Sequence, residues 1–143
     1  MLNIRMDSRT LMFKFWLTVT VTLSLLSCGT YSKKNSYLEY ISGGESFVLK
    51  KECVIQVSLP EDGYAKLDGD YIGIFVKIKN NAMCSGKFND FFRNHIGNDL
   101  YFKFGGKYMM KQSRIVSEMK TEVGFYQGIF NKNYVGDILK AYN

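Results

Sequence analysis

The sequence predicts an α+β domain with a mostly antiparallel sheet and two helices on one of its faces. Two hydrophobic patterns indicate this fold class. Apolar side chains recur at every second position in several short segments, as in half-buried strands. In two other segments they recur three and four positions apart, as in amphipathic helices. The predicted order is β-turn-β-α-β-β-(β)-β-α, a ferredoxin-like βαββ(β)βα arrangement.

The first two strands are predicted on either side of a turn. Residues 47–58 form one strand, because every second position carries one of Phe47, Leu49, Cys53, Ile55 and Val57. Residues 60–70 hold the chain's one proline and two Asp-Gly pairs, which are typical of turns. Residues 71–79 return as the second strand, with one apolar face formed by Ile72, Ile74, Val76 and Ile78.

The first helix and a hairpin come next. Residues 88–96 carry the helical stripe Phe88, Phe91, Phe92 and Ile96, which Ser85 is expected to cap and Gly97 to end. A hairpin follows over residues 100–110, turning at Gly105-Gly106, because two glycines accept the positive backbone angles of a tight turn. It directs Phe102 and Phe104 inward and Tyr101 and Lys103 outward.

The chain ends on a strand and a helix. Residues 115–122 give only a weak strand signal, whereas residues 123–129 alternate clearly. Asn131 is expected to cap the last helix. One apolar face of that helix is formed by Tyr134, Val135, Ile138, Leu139 and Tyr142.

The N-terminal segment predicts export. Residues 15–26 are an apolar run of twelve, too short for the roughly 20 residues of a membrane-spanning helix. Three basic residues precede it, as in an export signal: Arg5, Arg9 and Lys14. The run ends on Leu25-Leu26-Ser27-Cys28, which resembles the lipobox of bacterial lipoproteins. An ordinary secretory signal followed by a chance cysteine is the alternative.

The lipobox resemblance implies a division of the chain. Residues 1–27 are a signal peptide, residues 28–45 are the lipidated Cys28 and a polar tether, and residues 46–143 are a single α+β domain. Acyl chains on Cys28 bind a membrane, and two or more chains hold a protein there firmly. Gly29 after the cysteine resembles the outer-membrane sorting class. The expected location is therefore the cell envelope, facing the periplasm, with the outer membrane favoured.

The remaining cysteines, Cys53 and Cys84, are expected to form a disulfide, because an exported chain meets an oxidising compartment. A reactive thiol or a metal pair is the alternative. It lacks the close spacing and additional ligands of a zinc site. Neither a metal nor a cofactor is predicted.

Charge and residue types indicate no enzyme. The chain after residue 27 contains 16 Lys and Arg residues and 12 Asp and Glu residues. This mild excess of positive charge is typical of a solvated surface, and nucleic acid is not an expected partner. The single histidine, His95, is expected on the surface near a helix end. The acidic residues 61–62 and 68–70 have the composition of turns rather than of a glycosidase pair or a calcium loop. A murein-active enzyme is the weakest alternative.

Residues 71–142 resemble the head subdomain of the first periplasmic domain of SecD-type translocase subunits. The segments that carry the resemblance are Ile96-Gly97-Asn98-Asp99-Leu100, residues 101–104, Gly105-Gly106-Lys107 and Gln127-Gly128-Ile129-Phe130. The resemblance implies a ferredoxin-like fold and does not carry the translocation function with it.

A high aromatic content, 15% of all residues, favours protein binding, because tyrosine is prominent at interfaces. The candidate partner-binding residues lie on the hairpin: Tyr101, Lys103, Lys107 and Tyr108. The expected function is an immunity or inhibitor protein, of the pesticin-immunity type, that neutralises a periplasm-acting toxin or hydrolase. The alternative is a SecD-like accessory module of envelope protein export or assembly. If another segment covers the hairpin, the interface is expected at residues 60–70.

Overall fold

The computed structural model describes residues 36–61 and 71–143, which belong to one compact unit. Within these ranges the strands are β1 Leu38–Ser42, β2 Glu45–Leu49, β3 Val54–Ser58, β4 Ile72–Ile78, β5 Asp99–Phe104, β6 Lys107–Tyr108, β7 Ser113–Arg114 and β8 Phe125–Ile129. The two α-helices are α1 Lys87–Asn94 and α2 Val135–Tyr142. Shorter helical turns are Lys51–Cys53, Ala82–Gly86 and Lys132–Tyr134.

The predicted α+β class is confirmed, and the strand pairs within the described ranges are all antiparallel. The strands form two sheets instead of one. The larger sheet has the order β2-β1-β5-β6, with β7 also on β5, and the smaller has the order β3-β4-β8. Strand β4 precedes α1 and strand β5 follows it, so the two strands on either side of this helix lie in different sheets. The predicted single ferredoxin-like sheet is wrong in this respect, although the order of elements after residue 71 is as predicted.

Two hairpins with two-residue glycine turns define the larger sheet. Gly43 and Gly44 have φ of 57° and 83°, and Gly105 and Gly106 have φ of 57° and 81°. Positive φ at both central residues is the turn geometry that matches strand twist. The second turn was predicted. The first lies in the segment 28–45, which was predicted to be a tether.

The tether prediction is wrong for residues 38–45, because β1 is an internal strand of the larger sheet. Leu38 and Tyr40 on this strand have no exposed surface. The signal that identifies it is a short alternation followed by Gly43-Gly44, the same pattern that predicted the later hairpin. The folded domain therefore starts before residue 46.

The strand predicted over residues 47–58 is two strands in different sheets. The helical turn Lys51–Cys53 separates β2 from β3. A register shift between Val54 and Gln56 changes which side chains face inward on β3. As a result Ile55 is 56% exposed, whereas Val57 is buried.

An aromatic cluster joins α1 to both sheets. Phe88 on α1 lies 5.0 Å from Tyr40 of the larger sheet and 5.2 Å from Phe125 of the smaller sheet, measured between ring centroids. Phe92 on the next turn also contacts Tyr40, at 5.7 Å. The helix therefore packs against both sheets through Phe88, Phe91 and Phe92 of the predicted stripe. Ile96, predicted on the same face, lies beyond the end of α1 and is 50% exposed.

Asparagines cap the short helical turns that lead into the two helices. Asn81, not the predicted Ser85, accepts backbone N–H groups at the start of the helical segment that leads into α1. Asn131 caps the turn before α2, as predicted.

Strand β8 begins at Phe125, because Gly124 has φ of 99° and interrupts the extended chain. Val123, predicted inside that strand, is 79% exposed.

A disulfide and a tyrosine hydroxyl link elements that are far apart in the sequence. The predicted disulfide between Cys53 and Cys84 is present and joins the turn before β3 to the segment before α1. The Tyr142 hydroxyl at the end of α2 accepts a hydrogen bond from Leu38 N–H and donates one to the Leu49 carbonyl. Leu38 and Leu49 face each other across β1 and β2, so this hydroxyl joins the last helix to the end of the first hairpin.

Candidate functional site

The outer face of the larger sheet brings together three of the four predicted binding residues. Strand alternation sends Phe102 and Phe104 into the core and leaves Tyr101 and Lys103 on the other side of β5. Lys103 pairs with Tyr108 across the hairpin. The register continues this outer face across β1 and β2, where it adds Ile41, Glu39, Ser46 and Val48.

The aromatic and basic groups of this face contact one another. The rings of Tyr101 and Tyr108 lie 6.0 Å apart with an interplanar angle of 65°. The Lys103 ammonium lies 4.6 Å from the centroid of the Tyr108 ring, within the range of a cation–π contact. These contacts restrict the side chains before any partner arrives, which lowers the entropy lost on binding.

Among the described residues, this face is exposed on its flanking strands β2 and β6 and half-buried on β1 and β5. Tyr108 is 61% exposed and Val48 is 40% exposed. Strand β2 lies beside β1 in the same sheet and does not lie over β5. Residues 45–49, which form β2, therefore do not cover the predicted interface.

Lys107 lies apart from the other three candidates. Its ammonium lies 5.3 Å from the ring centroid of Tyr134, at the start of the last helix. The pKa of Lys107 is raised above its ordinary value, first by hydrogen bonding to Tyr134 and also by the charge of that side chain. Lys107 therefore belongs to the end of the larger sheet and not to its outer face.

His95 is buried, contrary to the expectation of a surface residue, because it packs under the first hairpin turn. Its Nδ1 lies 2.7 Å from the Phe91 carbonyl, and its Nε2 lies 3.7 Å from a Glu45 carboxylate oxygen. A Cβ atom on Gly43 would approach its Cδ2 to 2.8 Å. The histidine fills the space beneath the glycine, a packing role that sequence reasoning missed because β1 was not predicted.

A shallow depression of about 480 Å³ lies on the smaller sheet. Phe75 and Tyr126 line it on neighbouring strands, with their rings in edge-to-face contact at 5.4 Å. Its rim includes Gln56, Ser58, Leu59, Pro60 and Glu61. It adjoins the segment predicted as the alternative interface, of which residues 62–70 lie outside the described chain.

Residues 36–61 and 71–143 contain no group of three or more His, Cys, Asp and Glu side chains that could hold a metal ion. In the same ranges no helix is long and apolar enough to cross a membrane. Cys28, the predicted lipidation site, lies outside the described residues.

No protein-family model, no curated protein and no solved structure matches the chain.

Proposed function

We propose that this chain is a lipid-anchored envelope protein that faces the periplasm and acts by binding another protein. Its partner is a periplasm-acting toxin or hydrolase, which it neutralises as an immunity or inhibitor protein. The lipobox resemblance at Cys28 supports the anchor. The disulfide between Cys53 and Cys84 supports an oxidising compartment.

The observation that carries the binding proposal is the cluster of the exposed Tyr108 with the half-buried Tyr101 and Lys103 on the larger sheet. Interface hot spots are enriched in aromatic and basic side chains that lose contact with water in the complex. Val48 and Ile41 extend the cluster with apolar surface across β1 and β2. A sheet face that presents aromatic, basic and apolar side chains side by side has the composition of a protein-binding surface.

Substitutions on this face are expected to weaken partner binding. Tyr108→Ala removes the exposed ring, and Lys103→Glu reverses the charge beside it. We expect each to raise the Kd for a partner captured from an envelope extract by about 30-fold or more, because truncating a hot-spot residue costs about 2 kcal/mol. The measurement is titration of the captured partner against each variant.

The smaller sheet offers matched controls. Tyr126 is 58% exposed, close to the 61% of Tyr108, and Lys77 is half-buried on its sheet, as Lys103 is. Tyr126→Ala and Lys77→Glu should therefore leave the Kd within about threefold of wild type. Equal losses in both sets, with cooperative melting retained, would show that the binding face has been assigned wrongly.

The anchor has a separate test. Cys28→Ala removes the thiol that the lipobox resemblance marks for acylation, so labelling with radioactive palmitate should be lost and the protein should leave the membrane fraction. The Cys53→Ala variant tests whether a thiol other than that of Cys28 carries the palmitate. Palmitate labelling should persist in the Cys53→Ala variant. Continued labelling of the Cys28→Ala variant would contradict lipid anchoring.

The second candidate is a SecD-like accessory module of export or assembly, which the resemblance over residues 71–142 favours. The two functions predict different partners. Protection of a sensitive strain by expression of the chain supports immunity, and capture of translocase or assembly subunits supports the accessory function.

A further inference from the structure

Strand β2 has an unpaired edge among the described residues. It is the end strand in the order β2-β1-β5-β6, so only one of its sides meets another strand. The Leu49 carbonyl points toward Leu38 on β1, because the Tyr142 hydroxyl bridges these two backbone groups. Backbone groups of successive residues point to opposite sides of a strand. Ser46 and Val48 therefore direct their N–H and carbonyl groups away from β1, where no described residue bonds to them.

The other strand edges in the described ranges are short or covered. Strands β6 and β7 have only two residues each. Strand β3 contains a register shift, and its Val57 carbonyl accepts a hydrogen bond from the Asn143 side chain. Directly after β8, the Phe130 N–H donates to the Met109 carbonyl. By contrast, β2 has no proline and pairs with β1 in an unbroken register. An open edge of this kind is a template for a further strand.

We propose that β2 pairs with β2 of a second copy of this chain, antiparallel about a two-fold axis at Phe47. In this register Ser46 of each copy faces Val48 of the other, and the two residues exchange hydrogen bonds in both directions. A register centred on Val48 would instead use the Lys50 carbonyl, which already accepts the Cys53 N–H. The inference goes beyond the proposed function and does not depend on the anchor at Cys28.

The aromatic side chain of β2 fits a symmetric pair. Phe47 is half-buried, and its ring centroid lies 5.3 Å from that of Phe88 and 6.0 Å from that of Phe91. In the proposed register the two Phe47 residues face each other as a non-hydrogen-bonded pair, the arrangement in which opposite side chains come closest. Aromatic pairs across neighbouring strands stabilise a sheet. The second copy therefore covers the part of Phe47 that the first copy leaves exposed.

The charges at the two ends of β2 favour the antiparallel orientation. The Glu45 side chain at its start is 75% exposed. After its end, Lys50 lies 4.0 Å from Glu52, whereas Lys51 forms no ion pair with a described carboxylate. The backbone stays extended through Lys50, so Lys51 of one copy lies diagonally across from Glu45 of the other, in two symmetric places. A parallel pair would instead place Glu45 beside Glu45.

The symmetry leaves the proposed binding face accessible. Both Phe47 side chains point to the inner side of the joined sheet, so the two-fold axis is perpendicular to that sheet. The outer faces of the two copies therefore lie on the same side, and the pairing covers neither of them. Five residues of each copy meet along the edge, which is a small interface. We therefore expect a weak dimer whose population depends on concentration.

Photo-crosslinking in living cells tests the pairing on the full chain. A benzophenone amino acid replaces Ser46 in one copy, and a second copy carries a different C-terminal tag. We expect irradiation to join the two copies. The same amino acid at Val116, which is 83% exposed in the loop after β7, should not join them. Capture of another protein from Ser46 without the second copy, or no crosslink at all, would overturn the proposal.

A proline tests the hydrogen bonds. The Val48 N–H points away from β1, so Val48→Pro leaves the β1–β2 pairing intact and removes half of the hydrogen bonds between the copies. With this change in both copies, the crosslink yield should fall about 30-fold. Val48→Thr keeps the N–H and should leave the yield within about threefold of wild type. Equal yields from the proline and threonine variants would show that the edge of β2 does not join the copies.

Charge reversal separates specific pairing from a folding defect. Glu45→Lys in both copies, or Lys51→Glu in both copies, should lower the yield about tenfold, because like charges then meet in two symmetric places. Cells with Glu45→Lys in one copy and Lys51→Glu in the other should regain the wild-type yield, which misfolded variants cannot do. Glu118→Lys and Lys120→Glu change the same charges on an exposed loop and should retain the yield. Failure of the mixed pair to recover, or an equal loss in the loop variants, would overturn the proposal.

Discussion

Replacing both Cys53 and Cys84 by serine lowers the free energy of unfolding by about 3–4 kcal/mol. The bond closes a loop with a sequence separation of 31. Removing such a cross-link lets the unfolded chain gain that much conformational entropy. For a domain of this size the melting temperature should fall by roughly 10–20 °C. Thermal unfolding followed by circular dichroism measures the change.

A reductant supplies the control for the serine substitutions. Wild-type protein unfolded in the presence of a strong thiol reductant should show the same loss, and the double-serine variant should be unaffected by it. A loss below about 1 kcal/mol in both experiments would contradict a stabilising role for the bond. A loss in the serine variant alone would assign the effect to the substitutions.

Tyr142→Phe should destabilise the domain by about 2–4 kcal/mol. The substitution removes the hydroxyl between Leu38 N–H and the Leu49 carbonyl and leaves both backbone groups buried without that partner. Each buried group left unsatisfied costs about 1–3 kcal/mol. Burial is the main cause that raises the pKa of Tyr142, so its hydroxyl is neutral at pH 7. The stability difference between wild type and Tyr142→Phe therefore contains no contribution from ionisation. Urea unfolding at pH 7 gives the difference.

Tyr40→Phe is the matched control, because it removes the same atom from an equally buried ring. Among the described residues, the Tyr40 hydroxyl has no hydrogen-bond partner, and burial raises its pKa well above the ordinary value. Removing an unsatisfied buried hydroxyl relieves its desolvation cost. The variant should therefore be as stable as wild type or more stable. If the two substitutions cost the same, the Tyr142 hydrogen bonds do not hold α2 to the first hairpin.

Much of the fold could be predicted where a periodic pattern and a turn signal agree. Residues 71–79, the Phe88 helix and the Gly105-Gly106 hairpin combine regular spacing with a clear boundary. The disulfide followed from the expected compartment and the cysteine count. Part of the candidate binding face could also be predicted from the sequence, because alternation along β5 places Tyr101 and Lys103 on the side away from the core.

The remainder depended on packing that no local pattern encodes. Strand β1 is short and follows a polar segment, so it was not recognised, although Leu38 and Tyr40 are at the centre of the core. The period of two over residues 47–58 continued across the turn Lys51–Cys53 and hid a change of sheet. The separation of Lys107 from Tyr108 follows from the approach of Tyr134, a long-range contact that the hairpin sequence does not contain.

Under the proposed function, the chain acts through a protein partner that contacts the outer face of the larger sheet. Photo-crosslinking in living cells tests it most directly, with a benzophenone amino acid placed at Tyr108, at Val48 and, for comparison, at Tyr126. All three positions are exposed, at 61%, 40% and 58%. We expect Tyr108 and Val48 to yield a crosslink to one and the same envelope or toxin protein, and Tyr126 to yield none. A crosslink to that protein from Tyr126, with none from Tyr108 and Val48, would contradict it and assign binding to the smaller sheet.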